Sequence, residues 1–417
     1  MRALASGSWV TAARATRICR LLLVGTILCY ALLLATAHGT LDYVGRPLGT
    51  DFSDVYAAGL MADQGRAAAA WVWPAHYAVQ QALHRSNVVP FYGWHYPPPF
   101  LLIASLLAAL PYLAALAVWQ GATLIAAAAV ARRIVPGRLT MLAVLAAPAT
   151  FVCIGHGQNA FLTVSLLGGG LWLLDRRPGL AGLLLGCLVY KPQFALLLPV
   201  VLLVAGYRRA MIAAVAAALV LVAATVAIWG WPVWDAFLAS LPVTRTIIVE
   251  GGQTGWEKIV SAFAMVRAWG APVPLAYAVQ GGVSALAVAG AAVVGRWASP
   301  AVRGAGVCAA AVLSTPYVLD YDLVILGGAI CFLVADARER GWLTWEKSGL
   351  ALAYAVPLVG RQVAGLTAIP VDWLACAAVF GLTLRRAWVL DLARSIGREG
   401  SARRAERLPG TPSRPGR

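Results

Sequence analysis

An all-α protein that crosses a lipid bilayer many times is the fold class this sequence predicts, on three observations. Hydrophobic residues fill 61% of its 417 positions and charged residues 12%, about half the charged share of a soluble globular domain. The apolar residues gather in long runs, the mean hydropathy is +0.76, and many runs approach the ~20 residues of a spanning helix. The arginines stand in short clusters between those runs and toward the C-terminus. Basic clusters of that kind orient a membrane protein, so the net charge of +16 is read as topology and not as a nucleic-acid footprint.

Residues 1–18 are expected on the cytoplasmic side, because Arg14, Arg17 and Arg20 flank the first apolar run, Leu21 to Ala37. The run ends Ala35-Thr36-Ala37 and so resembles a secretory signal. A retained helix is preferred, since the chain beyond it is itself membrane-embedded. Residues 19–385 read as a single transmembrane domain. The first outer loop, 38–95, holds Asp42, Asp51, Asp54 and Asp63 and an aromatic, amphipathic helical stretch from Trp71 to Arg85 suited to a membrane surface. It closes on His95-Tyr96-Pro97-Pro98-Pro99-Phe100, where three prolines fix the backbone.

Phe100 to Val130 is apolar and broken at Pro111. It has room for one crossing plus a short embedded piece, or for two tight helices, and parity favours one net crossing. Apolar runs near Leu139–Val152, Phe161–Leu174, Leu180–Tyr190, Phe194–Ala205 and Met211–Trp229 come next. Their links alternate between basic (Arg176-Arg177, Arg208-Arg209) and polar without a charge cluster (Gly155-His156-Gly157-Gln158-Asn159, Tyr190-Lys191-Pro192-Gln193). The first kind is cytoplasmic and the second faces outward. A second outer loop, 231–270, precedes runs separated by Arg296 with Arg303, by Thr315 to Asp322, and by Arg338-Glu339-Arg340. Two last runs lead to a basic tail, 386–417, expected to be disordered and cytoplasmic. The total is about 12 crossings, with short amphipathic helices in both outer loops. Short helices that stop at polar Gly/Pro motifs imply a cavity in the outer half of the bilayer.

This topology brings Asp51, Asp54, His95, Tyr96, His156, Gln158, Asn159, Lys191, Gln193, Arg245, Asp320, Tyr321 and Asp322 to one side. The seven cysteines lie in or beside apolar runs and form no CxxC pair, so they read as small core residues. Five scattered histidines suggest no metal site, and no cofactor is expected. Lys191 is one of three lysines and stands between two apolar runs. An ionisable group at that depth is a functional candidate by default; the plainer reading is an ion pair with Asp320 or Asp322.

The arrangement suits transfer of a sugar from a lipid-linked phosphate. The prenyl tail of the donor lies in the bilayer, and Lys191 and Arg245 meet its phosphate. A phosphate leaving group needs cationic stabilisation but little protonation, so one carboxylate suffices as base, and Asp51 is the candidate. Attack opposite the phosphate inverts the anomeric centre. Asp54, His95, Tyr96, Gln158, Asn159, Gln193, Tyr321 and Asp322 are the candidates for substrate contact. Plainer roles stand beside these: Asp54 at a helix start supporting Asp51, Gln158 and Asn159 capping the helix from Ala160, and His95 and Tyr96 as interfacial anchors. Asp320-Tyr321-Asp322 has the form of a metal-binding DxD, a motif normally housed in a soluble α/β domain.

Asp51-Phe52 with Tyr56-Ala57-Ala58-Gly59, then Tyr96-Pro97-Pro98-Pro99-Phe100, Gly157-Gln158-Asn159, Tyr190-Lys191-Pro192-Gln193, and Thr315-Pro316-Tyr317 with Asp320-Tyr321-Asp322, form an ordered set that resembles glycosyltransferase family 87. The resemblance implies a GT-C-type fold with its active site at the periplasmic membrane face. It also implies a polyprenyl-phosphate sugar donor, a lipid or glycan acceptor, no metal, and an aspartate base in the first outer loop, which falls on Asp51. A mannosyltransferase of that family has histidines where this chain has Asp320-Tyr321-Asp322, so neither mannose nor an inositol-lipid acceptor is carried over. The alternative is a transporter or flippase of lipid-linked sugars, which also uses broken helices and a buried lysine. It should show internal symmetry, and the two halves of this chain show no repeat.

Overall fold

The computed structural model describes residues 1–392. It is all-helical, 76% helix with no strand among the described residues. In chain order the α-helices are α1 Arg2–Ser6, α2 Ala12–Ala35, α3 Phe52–Asp63, α4 Trp73–His84, α5 Pro99–Ala108, α6 Tyr112–Ile134, α7 Arg138–Ala146, α8 Pro148–His156, α9 Ala160–Leu173 and α10 Pro178–Gly186. Then come α11 Leu198–Val204, α12 Arg208–Trp229, α13 Pro232–Thr244, α14 Ala262–Ala268, α15 Val273–Trp297, α16 Pro300–Leu313, α17 Val324–Arg340, α18 Glu346–Ala355, α19 Gly360–Thr367 and α20 Val371–Ala387.

Five helices are long and apolar enough to cross a membrane: α2, α6, α12, α15, and α20 with its continuation to Asp391. Two bent pairs, α7 with α8 at 51° and α18 with α19 at 74°, raise the number to seven if each is one span. Prolines supply most of the breaks. Pro148 opens α8 and Pro111 stands between α5 and α6, because a proline lacks the N–H that a continuing helix requires. The Phe100–Val130 stretch is therefore a short helix followed by a long one.

The core lies around α9 and α16. Every residue of α16 from Val302 to Leu313 is buried, and its neighbours are α15, α17, α20 and α9. Alanine and glycine dominate its sequence, and small side chains let surrounding helices approach closely where lipid offers no competing hydrophobic drive. The same rule sets α10 against α12: a Cβ on Gly182 or Gly186 would collide with the carbonyls of Ala210 and Ala214. By contrast α2 is almost wholly exposed and rests on α7.

The first outer loop proves to be part of the body. Ten of the twelve residues of α3 are buried, and Gly59 lets the helix press onto the backbone of Ala104 in α5. Only α4 keeps the aromatic, two-faced character expected for the stretch from Trp71 to Arg85. The helix at the C-terminal end also outlasts the expected boundary at 386: α20 continues as a π-helical segment, Trp388–Leu392. Arg386 is fully buried against Asp336 and Glu346, at 2.6 Å each, which holds that segment in place. The rest of the expected tail lies outside the described residues.

Candidate active site

Two glycine turns assemble the site. Gly49, with φ +71°, precedes α3, and Gly157, with φ +64°, ends α8. Both occupy the left-handed region that favours glycine. A Cβ on Gly157 would stand 2.6 Å from Cβ of Phe52 and 2.9 Å from the carbonyl oxygen of Gly49. The two turns therefore touch, and this sets Gln158 beside Asp51.

Gln158 is the hub. Its Nε2 donates to Asp51 Oδ2 at 2.8 Å. Its Oε1 accepts from the Tyr96 hydroxyl at 2.9 Å and the Asn159 backbone N–H at 3.2 Å. Its backbone carbonyl accepts from Gln120 Nε2 at 3.0 Å. The other carboxylate oxygen of Asp51 accepts from the Thr50 hydroxyl at 3.3 Å and lies 3.5 Å from Nδ1 of His156. Asp51 stays about one-fifth exposed, so the base candidate has fixed orientation and an open side. Burial pushes its carboxyl up, while hydrogen bonding to the facing His156 ring and the Gln158 amide, with Lys258, pulls it down. The opposite holds for Asp54, one helical turn on. Burial, and then the charge of Asp51, push it well above that range, and its Oδ1 has no partner. The two acids are thus unequal: Asp51 keeps an exposed side and hydrogen-bond donors, whereas Asp54 is buried beside it with an unpartnered oxygen.

From Asn159 the network continues inward. Asn159 stands at the N-cap of α9 without capping it; its Oδ1 accepts from Lys191 Nζ at 2.9 Å. Lys191 also pairs with Asp322 at 2.6 Å, the two side chains being 3% and 1% exposed. The second oxygen of Asp322 accepts from the Leu319 N–H. The rings of Tyr321 and Phe194 lie 5.3 and 5.2 Å from the ammonium, inside cation–π range. Asp320, the other anion expected near Lys191, pairs instead with Arg361.

Other expected residues lie outside this hydrogen-bonded chain. Arg245 pairs with Glu250 at 3.3 Å and is 64% exposed. His95 Nδ1 meets the Thr244 hydroxyl at 2.9 Å and its ring packs edge-on to Trp73; burial lowers its pKa to about 4, with Asp51 opposing. Gln193, half-buried, is outside the hydrogen-bonded chain. Three participants were not singled out from sequence: Thr50, Gln120 and Arg361. Arg361 had a signal, an arginine on an outward link where the charge rule expects few. Among the described residues no group of three His, Cys, Asp or Glu side chains could hold a metal.

Fold and site together define a polytopic membrane protein with one carboxylate-centred polar cluster among apolar helices. The family model of glycosyltransferase family 87 matches residues 94–319, more than half of the chain, and the protein belongs to that family. It is accordingly a membrane glycosyltransferase. Neither a curated protein nor a solved structure matches it.

Proposed function

We propose that the protein transfers a hexose from a polyprenyl-phosphate donor to a lipid or polysaccharide acceptor at the outer face of a bacterial plasma membrane. Asp51 is the general base, and the anomeric centre inverts. The fold in this reading is of GT-C type, with about 12 crossings and both termini cytoplasmic. The five shorter apolar helices, α5, α9, α10 with its 3-10 extension, the Pro192–Val204 segment and α16, supply crossings that the longer ones do not.

The observation that carries it is the setting of Asp51. A general base must be ionised at the working pH and within reach of a hydroxyl. Asp51 is gripped from two sides by Gln158 and Thr50 and keeps an open side. Tyr96, Gln158 and Asn159 offer hydrogen-bonding groups for sugar hydroxyls, with His95, Gln193, Tyr321, Asp322 and Asp54 in support. Lys191 and Arg245 supply positive charge for the phosphate.

One contact favours a second reading of Lys191. Its ammonium already has a carboxylate and an amide oxygen as partners, which is how a buried lysine ties the 190–194 turn to the Asp320–Leu323 turn. Phosphate binding requires that pair to open.

The test is Asp51→Asn in membranes supplied with a prenyl-phosphate sugar. The variant keeps an oxygen for the Gln158 amide, so folding is retained and transfer should drop about 10²- to 10⁴-fold. Full transfer by the variant would overturn the assignment.

A further inference from the structure

Arg361 connects the site to α19 in a way that fixes the direction of every hydrogen bond around one face of Asp51. Its Nη2 lies 3.1 Å from Nε2 of His156. A guanidinium has only donors, so Nε2 of His156 is an acceptor there, and the ring proton is on Nδ1. Nδ1 in turn lies 2.9 Å from the Thr50 hydroxyl oxygen. With Nδ1–H donating to that oxygen, the Thr50 hydroxyl proton is free to go to Asp51 Oδ1, the acceptor 3.3 Å away. All the donors point one way, from the cation toward the carboxylate.

The cation is itself anchored. Nε of Arg361 donates to Asp320 Oδ2 at 2.7 Å, and Nη2 adds a second bond to the same oxygen. Asp320 is buried, and its Oδ1 accepts from the Tyr321 N–H at 2.9 Å. The Tyr321 ring also packs against the imidazole, with centroids 5.8 Å apart. The other helices packed on α8, namely α7 and α17, bring their charged side chains only at the ends remote from His156.

We infer that Asp320 and Arg361 are positioning residues: they hold His156 as its Nδ1–H tautomer, so that a directed chain through Thr50 orients Asp51. The functional half of this inference rests on Asp51 being the base; the tautomer does not.

The experiment uses the full-length protein in nanodiscs, labelled with ¹⁵N-histidine. There are five histidines, and a His156→Asn variant identifies the His156 signals by loss. At mildly alkaline pH the wild type should show His156 as Nδ1–H alone. The paired variant Asp320→Asn with Arg361→Met avoids leaving a buried carboxylate uncompensated and should shift the ring toward Nε2–H. Arg361→Lys keeps a donor and should restore Nδ1–H. In sugar transfer the paired variant should lower kcat roughly 10- to 100-fold through misplacement of the base, with donor and acceptor KM little changed, and Arg361→Lys should recover much of it. Nε2–H in the wild type, or Nδ1–H unchanged in the paired variant, would overturn the inference. A shifted tautomer with unchanged kcat would overturn the positioning role, whereas Asp51 as the base stands or falls separately on Asp51→Asn.

Discussion

The role of Gln158 can be tested with the exchange of a single atom group. Gln158→Glu keeps the shape and the oxygen that accepts from Tyr96 and Asn159, and replaces the donor Nε2 with a second acceptor 2.8 Å from Asp51 Oδ2. Two unit charges at that separation repel by about 6 kcal/mol at an effective dielectric of ~20, equivalent to roughly 4 pH units. Both carboxylates therefore cannot be ionised near neutral pH, and the pair retains one proton. A proton held between the two carboxylates weakens Asp51 as an acceptor for the proton of the attacking hydroxyl.

Transfer at pH 7 should fall by at least 10-fold, to the extent that general-base catalysis contributes. It should recover partly as pH rises and the shared proton leaves. The assay is the pH profile of sugar transfer in membranes, with circular dichroism confirming helix content. Wild-type activity with a wild-type pH profile would refute the reasoning, because it would mean that the group 2.8 Å from Asp51 has no bearing on the reaction.

Two further expectations concern buried charge. Lys191→Met alone leaves Asp322 buried without its cation and should cost about 3–5 kcal/mol, whereas Lys191→Met with Asp322→Leu should be near neutral in stability. If that stable pair also keeps its donor KM, Lys191 is a tie between turns and not a phosphate ligand. Burial lowers His76 to about 3, His84 to about 4 and His95 to about 4, all below the ordinary value of about 6.5. Between those values the unfolded chain binds more protons, so stability should fall as pH drops from about 6.5 toward 4, by on the order of 1–2 kcal/mol per histidine at pH 5. Thermal unfolding in detergent at pH 5 and pH 7.5 reads this directly; equal melting temperatures would refute it.

How much of the site was legible depended on whether its parts lay in runs or in contacts. Asp51, Tyr96, Gln158, Asn159, Lys191 and Asp322 stand at the ends of apolar runs, on links that alternate in charge. Topology alone therefore collected them, and the structure ties them into one hydrogen-bonded chain. Arg245 obeyed the same rule and still stands apart, since a shared membrane side says nothing of lateral distance. The choice between Asp320 and Asp322 as partner of Lys191 was open in sequence because the two differ by two residues; the short 3-10 turn Asp320–Leu323 sends one to Lys191 and the other to Arg361. The burial of α3 was hidden for a different reason. Its apolar run is short and bounded by Asp51 and Asp63, so it reads as loop, and only the glycine contact with α5 shows that it belongs to the core.

Several ion pairs of this protein are arranged around one helix, and that arrangement bears on why the site is held so firmly. The turn that feeds α17 carries Asp320 and Asp322, bound to Arg361 and Lys191. The other end of α17 carries Asp336, bound to Arg386 of α20, and Arg340, bound to Asp391. Such pairs add little net stability over well-packed apolar residues, because desolvation offsets their attraction. What they do add is discrimination. A slide of α17 by one turn, about 5.4 Å, would break the pairs at both ends and leave several buried charges unpaired, each costing several kcal/mol. The register of α17, and with it the placement of Asp320 against Arg361 and of Asp322 against Lys191, is therefore set by charge at both ends as well as by the apolar packing between them.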